Sequence, residues 1–217
     1  MVNSSITDCS LFWGIEEGRI ASLLTCLDAK NHTFEKGSFI FRVDDRVVSV
    51  GIVVSGSVNV IQEDYWGNRI ILAHIEPSGL FGEAYSCAGV EKLPVSVVAA
   101  ENCEIVFLDY RKIITTCSSA CAFHAHLISN MIQVLANNNM RLAKKLEHLS
   151  KRSIREKLLS FLSTEALNQK SSIIELPFDR QELAEFLGID RSALSRELSN
   201  MKKEGLISYQ KNQFVLH

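Results

Sequence analysis

With 217 residues, 47% of them apolar and only three prolines, the chain is long enough for two modest domains and too apolar to remain disordered. No apolar run approaches the roughly 20 residues of a membrane-spanning helix, and Met1-Val2-Asn3-Ser4-Ser5 lacks the basic start of a secretory leader, so the sequence predicts a cytoplasmic protein with no membrane partner. The net charge of −2 conceals an asymmetry: residues 1–140 carry 9 Lys/Arg against 15 Asp/Glu, whereas residues 141–217 carry 14 against 10, and a basic end on an acidic body suits phosphate contact.

From Phe34 to Leu108 short β-branched or aromatic runs alternate with turn signals. Phe39-Ile40-Phe41, Val47 to Val54, Ser57 to Gln62, Ile70 to Ile75, Val95 to Ala99 and Glu104 to Leu108 are separated by Ser55-Gly56, Trp66-Gly67-Asn68 and Pro77-Ser78-Gly79. Such spacing predicts an antiparallel β-barrel or jelly roll over residues 1–119. The period then changes. Ala120 to Ser150 contains no Gly or Pro and repeats apolar residues at Phe123, Leu127, Met131, Val134/Leu135, Leu142, Leu146 and Leu149, which is the spacing of an amphipathic helix. At roughly 45 Å it is too long to be covered by one small barrel, and its near-heptad stripe suits a partner helix. Residues 120–150 are therefore read as a homodimerisation helix. Asn137-Asn138-Asn139 interrupts the stripe, and the readings are solvent exposure for at least one of the three or an amide set in the seam or against a ligand.

A third segment, residues 151–217, begins near a hinge at Glu147 to Ser153. It continues as a helix from Ser153 to Leu167, a polar loop, and a strand from Ile173 to Leu176 closed by Pro177. Asp179 with Glu182 three positions on forms a capping box that starts a short helix ending at Leu187. Gly188-Ile189-Asp190 turns the chain, and helical spacing resumes from Arg191 to Glu204 with Leu194, Leu198 and Met201 inward. The outward face presents Arg191, Ser192, Ser195 and Arg196 in its first two turns, where side chains reach base edges in a major groove. Arginine bonds guanine bidentately and serine serves either base type. Leu206 to Tyr209 and Gln213 to Leu216 read as a two-stranded wing.

In this order the motifs resemble the Crp-Fnr family of bacterial regulators, over roughly residues 12–217. The resemblance rests on Gly51-Ile52-Val53-Val54-Ser55-Gly56-Ser57-Val58, on Gly79-Leu80-Phe81-Gly82-Glu83, and on Arg180-Gln181-Glu182-Leu183-Ala184 through Gly188 to Ser195-Arg196. It implies an α+β chain with a cyclic-nucleotide-binding-like sensor, a dimer helix and a winged helix-turn-helix. It also implies base contact by Arg191, Ser192 and Arg196, and phosphate contact by Arg180 and Gln181. Double-stranded DNA, a second copy of the chain and RNA polymerase are the implied partners, and no catalytic residue is expected.

Family members that bind cyclic AMP follow the Gly-Glu pair, ten residues on, with an Arg-Ser pair that clamps the phosphate. Here Leu93-Pro94 stand in that place. An aliphatic side chain cannot pair with a phosphate charge, so the expected effector is a small molecule other than cyclic AMP, held by Phe81, Gly82, Glu83, Leu93, Pro94, Ser96, Asn138 and Asn139. No cofactor or metal is expected. Only Cys9 and Cys26 precede the barrel, whereas an iron–sulfur cluster needs four closely spaced thiolates. His32, His74, His124, His126 and His148 show no spacing that singles out a haem ligand. The alternatives are a regulator of the same fold that is effector-independent or senses redox state or haem, and, more remotely, a cupin-like metalloenzyme.

Overall fold

The computed structural model describes residues 3–115 and 122–217. The expected boundary at 119/120 and the cysteines Cys117 and Cys121 lie outside the described residues. The chain divides into two compact units, one of residues 1–64 with 72–139 and one of residues 65–71 with 140–217.

The first unit starts with two helices, α1 (Ser4–Thr7) and α2 (Glu17–Cys26). The strands that follow are β1 (Lys30–Phe34), β2 (Phe39–Phe41), β3 (Ser49–Ser55), β4 (Val58–Glu63), β5 (Arg69–Ile75), whose first residues are grouped with the second unit, and β6 (Leu80–Phe81). Helix α3 (Glu83–Ala88) follows, then β7 (Ser96–Ala99), β8 (Cys103–Asp109) and helix α4 (Tyr110–Ile114). The strands form two four-stranded antiparallel sheets, in the orders β1-β8-β3-β6 and β2-β7-β4-β5. This is a jelly-roll sandwich rather than a closed barrel, because no pairing joins the edges of one sheet to those of the other among the described residues. The short strands β1 and β6 have no period-two run long enough to be read from the sequence.

The two faces of the first sheet serve different cores. Val53, Ile105 and Phe81 point between the sheets and meet Val58, Val97 and Ala99. Val50, Ile52, Val54, Val106 and Leu108 point outward to a second core with Ile6, Phe12, Ile20 and Leu23 of the N-terminal segment. The long helix α5 (Ala122–Leu149) lays Leu127, Met131 and Val134 into that second core. Its Asn130 amide donates to the Leu11 and Trp13 carbonyls at 2.9 and 2.8 Å, satisfying backbone acceptors that burial removes from water.

The second unit is built on α6 (Ile154–Gln169), β9 (Ile173–Glu175), α7 (Arg180–Leu187), α8 (Arg191–Lys203), β10 (Ile207–Gln210) and β11 (Gln213–Leu216). Ser153 and Glu156 form a capping box that starts α6. The three strands pair in the order β10-β11-β9. Leu158, Phe161 and Leu162 of α6 pack with Leu183 and Leu187 of α7, Leu194, Leu198 and Met201 of α8, and Phe214 of β11.

Candidate nucleic-acid interface and effector pocket

The reading helix is held by caps in the helix-turn-helix and by a side chain of α6. Asp179 Oδ1 accepts from the Gln181 and Glu182 N–H groups at 2.7 and 2.9 Å, and Glu182 Oε2 accepts from the Asp179 N–H at 2.9 Å, so the first turn of α7 has its orphan donors satisfied. Gly188 ends that helix at φ +59°, a left-handed conformation that favours glycine. Asp190 then caps α8: its Oδ1 accepts from the Ala193 N–H at 2.9 Å and from the Ser192 hydroxyl at 2.6 Å. The Ser192 hydroxyl and the Ala193 N–H hold the Asp190 carboxyl below its usual range. Farther along, Arg155 of α6 donates its Nε to Glu197 and its two terminal nitrogens to Glu204 at 2.8 Å each. That fork ties the second half of α8 to α6.

The back of α8 is sealed, with Leu194, Leu198 and Met201 fully buried, while Arg191, Ser192 and Arg196 are exposed and Ser195 is half-buried beside them. Arg180 does not extend freely. Its guanidinium lies 5.0 Å from the Tyr209 ring centre and 5.4 Å from that of Phe214, and one nitrogen donates to the Lys211 carbonyl. Gln181 donates to Glu185 at 2.9 Å. Arg180 is thus held against the wing by cation–π contact, with part of its donor fork committed.

The eight residues expected around an effector divide sharply. Phe81 (2% exposed), Leu93 (3%) and Ser96 (8%) are buried, whereas Pro94 and Asn139 are exposed. Leu93 is locked by two backbone bonds, donating to the Asp45 carbonyl at 3.0 Å and accepting from the Asp44 N–H at 2.9 Å. Ser96 Oγ accepts from the Val43 N–H at 3.1 Å. The Phe81 ring packs against Gly51, where an added Cβ would come within 2.2 Å of the ring, and it meets Phe41 and Phe107 with centroids at 5.9 and 6.1 Å. Gly82 takes φ +82°, beside the Ser49 carbonyl, and starts α3. Glu83, the first residue of α3, is buried, and its Oε1 accepts from the Asn138 amide of α5 at 2.7 Å.

The apolar stripe of α5 is two faces rather than one. Leu127, Met131 and Val134 are spent on the sheet of the same chain, which corrects the reading of them as seam residues. A second stripe, Ile128, Ile132, Leu135, Asn139, Leu142, Leu146 and Leu149, advances by alternating steps of four and three. Ile132, Leu142 and Leu146 on it are 62%, 53% and 65% exposed. The sequence contained this heptad, but single apolar residues on two adjacent helical faces read as one broad stripe. The polar run is divided likewise: Asn138 turns inward to Glu83, Asn139 stands on the exposed stripe, and Asn137 is exposed on neither.

Of the residues weighed as cluster or haem ligands, Cys9 is fully buried, and burial pushes its thiol up to about 12. His74 Nδ1 is 2.7 Å from Asn59 Oδ1, and His148 Nδ1 is 2.8 Å from Ser160 Oγ.

Comparison with known proteins matches this order of parts. Residues 31–120 fit the cyclic nucleotide-binding domain model and residues 141–217 the Crp-like helix-turn-helix domain model. The chain belongs to the Crp-Fnr family. Crp-Fnr proteins are DNA-binding transcription regulators, and the relatives bear this out. The nitrogen fixation regulation protein FixK of Azorhizobium caulinodans is 27% identical over 93% of this chain and 80% of its own length. The cAMP-activated global transcriptional regulator CRP of Pasteurella multocida is 21% identical over 86% of this chain and 89% of its own. Among solved structures, the c-di-GMP-responsive regulator CLP of Xanthomonas campestris shares the fold with a TM-score of 0.77, at 19% identity over 93% of this chain and 99% of that one.

Proposed function

We propose that this Crp-Fnr regulator acts in the cytoplasm as a homodimer on a pseudo-palindromic promoter site, with RNA polymerase as its further partner and without cyclic AMP as its effector. The observation that carries the reading is the solvent face of α8. Arg191 and Arg196 stand exposed on a helix whose opposite face is fully buried, so the helix offers groove-reading side chains while its position is fixed by packing. Arg191 and Arg196 donate to guanine edges, Ser192 and Ser195 adjust the neighbouring contacts, and Arg180 and Gln181 meet phosphate. The exposed heptad of α5 supplies the dimer, because its Ile and Leu side chains gain burial only against a partner helix. Two-fold symmetry then sets half-sites about 34 Å apart, one turn of duplex. Leu93, buried where a phosphate clamp would stand, opposes an anionic ligand.

Selection of bound duplexes from a random pool at fixed salt tests the reading. It predicts an enriched inverted repeat, bound with a steep inverse salt dependence and unaffected by cyclic AMP. Leu142→Glu, which places like charges in the seam, should convert the dimer to monomer and abolish binding to the repeat. Failure to enrich any sequence, or full binding by that monomeric variant, would sink it.

A further inference from the structure

Two helices of the helix-turn-helix unit each bring a cation to one aromatic ring of the wing. Tyr209 of β10 stands opposite Phe214 of β11 in the hairpin register, with ring centroids 5.7 Å apart. The guanidinium of Arg180, the first residue of α7, lies 5.0 Å from the centre of the Tyr209 ring, and the ammonium of Lys202, in the last turn of α8, lies 5.1 Å from it. Tyr209 is half-buried and Lys202 is exposed. Among the described residues neither cation has a carboxylate within ion-pair distance, because the two acids of α8 and its C-cap, Glu197 and Glu204, are both taken up by Arg155.

Fold stability does not account for this gathering of charge. A cation in the first turn of a helix opposes the macrodipole, burial pulls the Arg180 guanidinium below its usual value, and two like charges drawn to one ring repel each other. An anion within reach of both cations offsets all three costs, and the backbone of a duplex carries such anions in a regular row.

We infer that Tyr209 is a positioning residue for DNA binding: its ring sets Arg180 and Lys202 as a pair that meets the phosphate backbone beside the bases read by α8. The inference rests on the proposed DNA-binding reading and adds Tyr209 and Lys202 to that site. Arginine and lysine have many rotamers, and each one frozen on binding costs affinity. Cation–π contact with one ring restricts both side chains before the duplex arrives. Arg180 is held a second time, since one terminal nitrogen donates at 3.3 Å to the carbonyl of Lys211, which takes φ +54° in the turn of the wing. Ring and turn together fix the plane of the guanidinium and leave its other donors for phosphate oxygens.

The test uses the full-length protein with mixed-sequence duplexes of about 30 base pairs, long enough for two half-sites, at roughly 50 mM salt, where phosphate contacts dominate. Tyr209→Phe keeps the ring and binds within about twofold of wild type, whereas Tyr209→Leu weakens binding about tenfold. The double variant Arg180→Ala with Lys202→Ala weakens it by about tenfold or more and flattens the salt dependence by about two phosphate contacts. Adding Tyr209→Leu to that double variant costs less than about twofold more. Silence of the ring once the cations are gone separates positioning from a general loss of structure, whose cost would add to that of the double variant.

Should Tyr209→Leu fail to give a cooperative melt, para-cyanophenylalanine at position 209 decides, because it keeps the shape of the ring while withdrawing the electron density that attracts the cations. It weakens binding as Tyr209→Leu does. Wild-type affinity in the folded leucine or cyano variant, a Tyr209→Phe protein as weak as Tyr209→Leu, unchanged binding by the double variant, or a full further loss when Tyr209→Leu is added to it each overturn the inference while leaving DNA binding standing. A wild type that binds no duplex at this salt overturns both.

Discussion

The two units use their polar side chains in opposite ways. In the sensor unit several of the residues expected around a ligand face inward: Glu83 Oε1 accepts from the Asn138 amide, Ser96 Oγ accepts from the Val43 N–H, and Leu93 is held by backbone bonds to residues 44 and 45. In the helix-turn-helix unit the corresponding groups are turned outward. Arg191 and Arg196 lie in solvent, and the satisfied polar groups are those that hold the helix ends, Asp179, Asp190 and Arg155. A filled interior is costly to open, whereas an exposed arginine is free to trade water for a base.

This contrast breaks first at Phe81. Phe81→Ala leaves a cavity among Gly51, Phe41 and Phe107, and should lower the stability of the sensor unit by about 3–5 kcal/mol, read as a fall in its thermal midpoint. An unchanged midpoint would mean that the interior is not closed by that ring. On the other side of the comparison, Arg196→Ala should leave thermal stability unchanged and cost about 1–3 kcal/mol of binding to the selected duplex, with relaxed preference at one base pair. Equal weakening on every sequence would reassign Arg196 to phosphate contact.

The smallest effect concerns pH. Burial, followed by the Lys144 charge, pulls the His148 imidazole below its usual value. The unfolded chain, with a His pKa of about 6.5, then binds the proton more readily than the folded one. The sign follows from linkage: stability is fully present above about pH 6.5 and declines as pH falls below it toward the depressed folded value. Denaturant melts of the wild type and His148→Gln between neutral and mildly acid pH should differ in slope. Identical slopes would remove His148 from the account.

Much of this organisation was legible in the sequence. The capping box at Asp179, the glycine turn at Gly188 and the inward Leu194, Leu198 and Met201 are local signals, and each was found in its expected place. The strands with glycine turns were equally plain, because period-two runs and turn residues sit next to each other in the chain. The two faces of α5 were not separable, because the face that a helical residue presents to its own sheet depends on partners more than a hundred positions away: Asn130 meets Leu11 and Trp13. The Glu83–Asn138 bond was hidden for the same reason. Both residues stood among the expected pocket residues, but nothing local says that they would bond each other. Strand β1 and the short β6 carry no alternation and acquire their pairing from β8 and β3.

The most direct test of the central claim is sedimentation equilibrium of the wild-type protein with its selected duplex, free of added nucleotide. The account predicts two chains per duplex, with half-sites one helical turn apart and the same stoichiometry for the protein alone. One chain per duplex, or a dimer that assembles only on addition of a small molecule, would contradict it.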